Sequence, residues 1–180
     1  MKKSLICFLP LAVYCFSSCS SGDTEKKQRL ISQIDSLQKK MVNPQSLELD
    51  KNLAQQGMAA YEDFANKYPD DTLSPEYLFR VSDLARGVGD NTKAMESLKQ
   101  ICKKYPNYKK IPECLFLQGY YYQEFFNDTV SAKGFYQELI SKYPNHAFAD
   151  DAKALMGMFG KSEADIIKGF EQKENSQAKK

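Results

Sequence analysis

The sequence predicts an all-α protein of tandem helical hairpins, about three repeats followed by a shortened terminal pair, on the strength of a period, a stripe and a pair of helix starts. The tripeptide Lys-Tyr-Pro recurs at Lys67-Tyr68-Pro69, Lys104-Tyr105-Pro106 and Lys142-Tyr143-Pro144, at spacings of 37 and 38 residues, a period typical of stacked supersecondary units. Counted back from each proline, a small residue stands at Gly57, Ala94 and Ala132, then Tyr61, Leu98 and Tyr136, then Phe64, Ile101 and Leu139. These intervals of three and four residues place one apolar stripe on one helix face. Pro75-Glu76 and Pro112-Glu113 each follow a Tyr-Pro and read as helix starts, with proline where a first turn tolerates it and an acid favoured by the helix dipole.

Each repeat therefore ends in an amphipathic helix that the proline stops, because it biases Tyr68, Tyr105 and Tyr143 away from the α region. Within the hairpins, Gly89-Asp90 and Asn127-Asp128 place Gly or Asn where a left-handed residue is needed. Ser82 and Gly119 are the small residues of the first helices, and Gly157 holds the equivalent place in a third copy. The terminal pair is expected over 147–159 and 162–170.

The 180 residues, 42% hydrophobic and 27% charged, suit one folded body with polar ends. The net charge of +2 resides in Lys2 and Lys3, so from Cys19 onward basic and acidic residues balance. Without a basic face or stripe, nucleic-acid binding is not expected.

At the N-terminus, residues 1–18 have the parts of an export signal that is removed: Lys2 and Lys3, an apolar run from Leu5 to Phe16, then Ser17 and Ser18. The run is too short to span a bilayer, which takes about 20 residues. Phe16-Ser17-Ser18-Cys19 resembles the lipobox of bacterial lipoprotein precursors, with Phe16 where that pattern usually has an aliphatic residue. The resemblance implies acylation, palmitate among the chains, at Cys19; Cys15 follows bulky Tyr14 and is a poorer candidate. Each buried methylene contributes about 0.8 kcal/mol, so two or three chains hold a protein stably on a membrane. Residues 19–25 then read as a lipidated flexible leash, 26–170 as the repeat domain and 171–180 as a polar tail. Leu30, Ile34, Leu37 and Met41 lie at heptad spacing. With fewer than three heptads we read residues 26–42 as the first helix of the first hairpin, a coiled-coil seam being the alternative.

The small residue of each first helix, Ala94 or Ala132 opening the second, an aromatic or Leu four residues later and the closing Tyr-Pro together resemble the tetratricopeptide repeat family, over about residues 45 to 160. The sequence departs from that pattern in lacking Trp, in Gly57 for Ala, and in its longer unit. The longer unit is similar to the bacterial subgroup that includes the outer-membrane assembly lipoprotein BamD and the Tol-Pal-associated periplasmic repeat protein. The resemblance implies a right-handed solenoid whose first helices line a concave, protein-binding groove. By position that groove presents Glu76, Phe79, Asp83 and Arg86, then Glu113, Phe116, Tyr120 and Gln123, then Asp151, Ala154 and Met158. It is apolar with an acidic edge, and of the family's carboxylate-clamping cations only Arg86 is present. A partner segment with aromatic or aliphatic anchors and some basic charge fits it.

Little points to catalysis. His146 is the lone histidine and reads as an exposed turn residue; no metal box, phosphate loop or Cys-x-x-Cys pair is visible. Cys102 and Cys114 flank an inter-repeat turn on apolar faces and read first as buried free thiols, with a disulfide permitted in an exported protein. In the aromatic run from Tyr120 to Phe126, helical spacing assigns Leu115, Gly119, Tyr122 and Phe126 to the core and leaves other rings facing elsewhere. The sequence thus predicts a lipid-anchored envelope protein, at the periplasmic face of the outer membrane, that binds proteins and needs no cofactor or metal. The alternative is a structural oligomer organised through a coiled coil, and an enzyme ranks third.

Overall fold

In the computed structural model, residues 20–41, 48–162, 164–165 and 167–169 are described. The expected export signal and Cys19, and the polar tail over 171–180, lie outside them. The described chain forms α1 (Ser20–Met41), α2 (Lys51–Lys67), α3 (Leu73–Val88), α4 (Asn91–Lys104), α5 (Ile111–Glu124), α6 (Thr129–Lys142) and α7 (Ala147–Met156), with further helical residues at 164–165 and 167–169. Each helix packs against the next in sequence, and α5 also packs on α7. The architecture is an all-α helical-repeat solenoid, as the period required.

The three Tyr-Pro sites terminate their helices in one conformation. Tyr68, Tyr105 and Tyr143 have φ of −127°, −129° and −133° with ψ of 59°, 59° and 55°. Each still donates its N–H to a carbonyl four residues back, at Phe64, Ile101 and Leu139. Proline at the next position makes the helical conformation of the tyrosine costly. The chain then turns through identical three-residue steps, Asp71 to Tyr68 and Ser74 to Asp71, Tyr108 to Tyr105 and Ile111 to Tyr108, His146 to Tyr143 and Ala149 to His146. Asp50, Asp90 and Asp128 cap the second helices, their side chains accepting from Leu53, Lys93 and Ser131 N–H groups.

Small residues sit where helices approach most closely. Ala94 and Ala132 are fully buried. A Cβ on Gly57 would lie 2.5 Å from Cε of Met41, and one on Gly119 would lie 2.5 Å from the Tyr136 ring. The Gly57 contact settles the role of α1: Ile34 and Met41 are buried against the same chain, and Gln38 Nε2 donates to the Tyr61 hydroxyl at 2.7 Å. The heptad seam is thus used within the first hairpin. Lys27 also pairs with Asp71, tying α1 to the first inter-repeat turn.

Four expectations need correction. Residues 20–25 are the first turns of α1 rather than a leash; small polar residues tolerate a solvated helix that carries Asp23 in its first turn and an Arg29–Glu25 pair beyond it. Gly157 caps the end of α7 instead of marking a close helix approach, because α7 stops at Met156. Tyr121 is the fully buried ring of the aromatic run, while Tyr122 is half-buried and Phe126 is exposed. The reason is that α5 is packed by α4 on one side and α6 on another, which widens its buried face, and ends before Phe126. His146 is half-buried: it is the N-cap of α7, its Nδ1 accepts from Phe148 N–H at 3.3 Å, and its ring stacks on Phe148.

Candidate functional site

The groove expected along α3, α5 and α7 resolves into packed residues and a smaller exposed set. Glu76 is not free to meet a partner. Its carboxylate accepts from the Tyr108 hydroxyl at 2.6 Å and from Lys110 Nζ at 3.1 Å. Partial burial works to raise its pKa, but Tyr108, Lys110 and Arg80 outweigh that and hold it below the ordinary value. Phe79 lies half-buried under Lys110, whose Nζ stands 4.5 Å from the ring centroid, a cation–π contact. Phe116 is half-buried too, stacked on Phe148 at 4.7 Å and tilted against Tyr136 at 5.8 Å. Gln123 accepts from the Tyr136 hydroxyl at 3.3 Å.

The Glu76 clasp borders a cleft of about 900 Å³ between two successive inter-repeat turns, lined in part by Pro69, Leu73, Arg80, Tyr105 and Pro106. Glu113, the counterpart of Glu76 one repeat on, has no such clasp. Its Oε2 is buried without a hydrogen-bond partner among the described residues, an expensive state for a carboxylate oxygen.

What remains accessible is Asp83, Arg86 and Tyr120, with Asp151 and Ala154 beyond them on α7. Asp83 and Arg86 both act electrostatically on Tyr121, the buried neighbour of Tyr120. Crowding by protein pushes the Asp83 carboxyl upward, against the pull of Arg86, Lys110 and Arg80. Met158 is half-buried after the end of α7.

Residues not placed in the expected groove enlarge this exposed set. Tyr120 is 36% exposed, Phe125 45%, Phe126 42% and Val130 81%. Phe125 packs edge-on to Tyr120 at 6.0 Å and tilts over Tyr121 at 5.4 Å. Phe126 leans on Tyr122, which stacks on Phe135 and lies under Lys99. The signal for this patch was the one-residue difference between the two spacings. In the α3–α4 turn Asp90 N–H reaches Ala85 O, whereas in the α5–α6 turn Asp128 N–H reaches Tyr122 O, one residue further back. The extra residue falls in the Phe125-Phe126-Asn127 segment, and Asn127 adopts φ 51° to close it.

Among the described residues, no group of three His, Cys, Asp or Glu side chains could hold a metal ion, and no helix is long and apolar enough to cross a membrane. No curated protein matches the chain. The sequence model of the tetratricopeptide repeat family matches residues 76–108 and 113–146, the α3–α4 and α5–α6 hairpins with the turns that follow them. Such repeats are typically non-catalytic and indicate a protein–protein interaction scaffold. With matching helix terminators, close approaches at the small residues and these two matched segments, the chain is a helical-repeat protein in which two hairpins are similar to tetratricopeptide repeats.

Proposed function

We propose that this chain is an envelope lipoprotein, held through Cys19 at the periplasmic face of the outer membrane, that scaffolds a protein complex through the exposed ends of α3 and α5. The observation that carries the binding role is the exposed aromatic rim of Tyr120 and Phe125 at the end of α5, with Asp83 and Arg86 exposed on α3. Exposed aromatics next to charged groups have the character of interface anchors. The acids Asp83 and Asp151, exposed with Arg86, suit a partner segment that brings apolar anchors and basic charge. The anchoring role rests on the lipobox resemblance at Phe16-Ser17-Ser18-Cys19, and the envelope-assembly role on the similarity of the long repeat unit to the BamD and Tol-Pal-associated subgroup. An oligomer organised by a coiled coil has less support, since the heptad residues of α1 face α2.

The test joins binding to folding. Tyr120→Ala with Phe125→Ala should remove partner co-purification, each true anchor being worth about 2 kcal/mol or more, while the melting temperature falls little. A collapsed melting temperature with retained partner capture contradicts the reading. Separately, Cys19→Ala should release the protein from washed membranes or leave it unprocessed, and Cys15→Ala should change nothing. Equal retention of both variants contradicts the anchor.

A further inference from the structure

Cys102 lies in the last turn of α4 and Cys114 in the first turn of α5, and both are free thiols. The Cys102 and Cys114 side chains lie close enough to interact with each other. Gln118, one helical turn beyond Cys114 and 2% exposed, donates its Nε2 to Cys102 Sγ at 3.3 Å and to the Cys114 carbonyl at 3.2 Å. The Cys102 sulfur thus receives a buried amide donor, an environment that suits a thiolate. Cys102 is half-buried, whereas Cys114 is fully buried.

The repeat supplies an internal control on whether packing alone demands these residues. The stations of Cys102, Cys114 and Gln118 are occupied one repeat earlier by Ala65, Tyr77 and Val81, and one repeat later by Ile140, Ala152 and Met156. Neither set carries a thiol or an amide, and both pack into the core or against it. A buried amide is costly unless its hydrogen bonds are made, and here they are made to the sulfur site.

We propose that Cys102 and Cys114 are a redox-active dithiol, with Cys102 the attacking sulfur and a hydroperoxide the oxidant, forming a disulfide that bolts α4 to α5 across the repeat junction. Cys102 thiolate attacks one peroxide oxygen and the O–O bond breaks, giving Cys102 sulfenic acid and, after proton uptake, one water from hydrogen peroxide. The Cys114 sulfur then attacks the Cys102 sulfur, the S–O bond breaks, and hydroxide leaves with the Cys114 proton as a second water. The two sulfurs together lose two electrons to the peroxide.

The surroundings divide the roles the same way. The donated hydrogen bonds hold the Cys102 pKa below its ordinary value against its burial, with Lys142 assisting and Glu138 opposing. The Cys114 pKa is pushed up by its bond to Cys102, by burial and by adjacent Glu113, with Lys110 opposing, so Cys114 keeps its proton until the second step. Gln118 is a positioning residue for the Cys102 sulfur. The inference does not depend on the compartment in which the chain resides.

The test treats the full chain with hydrogen peroxide at neutral pH, then blocks remaining thiols and maps peptides by mass. The expected product is a peptide pair joined through Cys102 and Cys114 and lighter by two hydrogens. In Cys114→Ser, a sulfenic acid accumulates at Cys102 and is captured by dimedone, whereas in Cys102→Ser the Cys114 thiol stays reduced. Gln118→Leu, apolar like its counterparts in the neighbouring repeats, should melt no lower yet react several-fold more slowly, because the thiolate loses its amide donor. Sulfenic acid at Cys114 in preference to Cys102, or no linked peptide while both thiols oxidise, overturns the proposal. Unchanged rate in Gln118→Leu overturns the positioning role.

Discussion

The two matched repeats meet their successors in different ways, although the stations involved are equivalent. Between α3 and α5 the helices do not pack directly on each other. The space is spanned by Lys110 and Tyr108, which reach back to Glu76 and Phe79. Between α5 and α7 the helices do pack, and Phe148, at the station of Lys110, stacks on Phe116, at the station of Phe79. His146, at the station of Tyr108, extends that stack. One junction is a charged clasp beside an open cleft; the other is a closed aromatic stack, and Glu113 Oε2 has no hydrogen-bond partner among the described residues. The comparison teaches that a repeat's period fixes where contacts fall while a single residue, Lys or Phe, sets how closely the first helices approach.

The contrast is broken most severely from beneath the closed junction. Tyr136 is fully buried, cradled by Gly119, and supports Phe116 and Phe159. Tyr136→Ala should therefore cost about 3 to 5 kcal/mol in denaturant unfolding, the range for a large aromatic removed from a core. A loss under about 1 kcal/mol, within the range of ordinary surface changes, contradicts this packing.

The stack itself is a smaller element. Phe148→Ala should cost about 2 kcal/mol, the loss of partial burial together with a stacked pair. Phe148→Lys should cost less, because it offers Glu113 the ammonium that Lys110 offers Glu76. Equal unfolding midpoints for the two variants would show that the stations are not interchangeable.

The clasp gives the smallest effect and a distinctive pH signature. Tyr108→Phe removes one hydrogen bond to a half-exposed carboxylate and should cost about 1 kcal/mol at neutral pH. Because Glu76 titrates below its ordinary value of 4.5 when folded, its contribution is present above the unfolded-state pKa and lost as pH falls through the folded one. The difference between wild type and Tyr108→Phe should thus shrink on acidification. A constant difference from neutral pH to well below 4.5 would separate the hydroxyl from the carboxylate.

Much of the fold was legible because its signals are local. The Tyr-Pro terminators, the helix-opening prolines and the small stations at Gly57, Ala94, Gly119 and Ala132 each act within a turn or at one contact. The aromatic run was read less well, since Tyr121 is buried only because two neighbours enclose α5, a property of the assembled array. Glu76 and Phe116 looked like groove residues by position, yet their partners Tyr108 and Lys110 come from an inter-repeat turn and Phe148 from the start of α7, whose reach no helical period of α3 or α5 encodes. Ser20 to Glu25 looked like a leash because small polar residues carry no helical periodicity of their own.

In the proposed function the exposed end of α5, rather than the packed part of the expected groove, meets the partner. A photo-crosslinking side chain placed at Tyr120 in living cells, and separately at Phe116, tests it most directly. One discrete crosslinked protein is expected from position 120 and none from position 116, whose ring is stacked between helices. Crosslinks from position 116 alone, or from neither position, would contradict it.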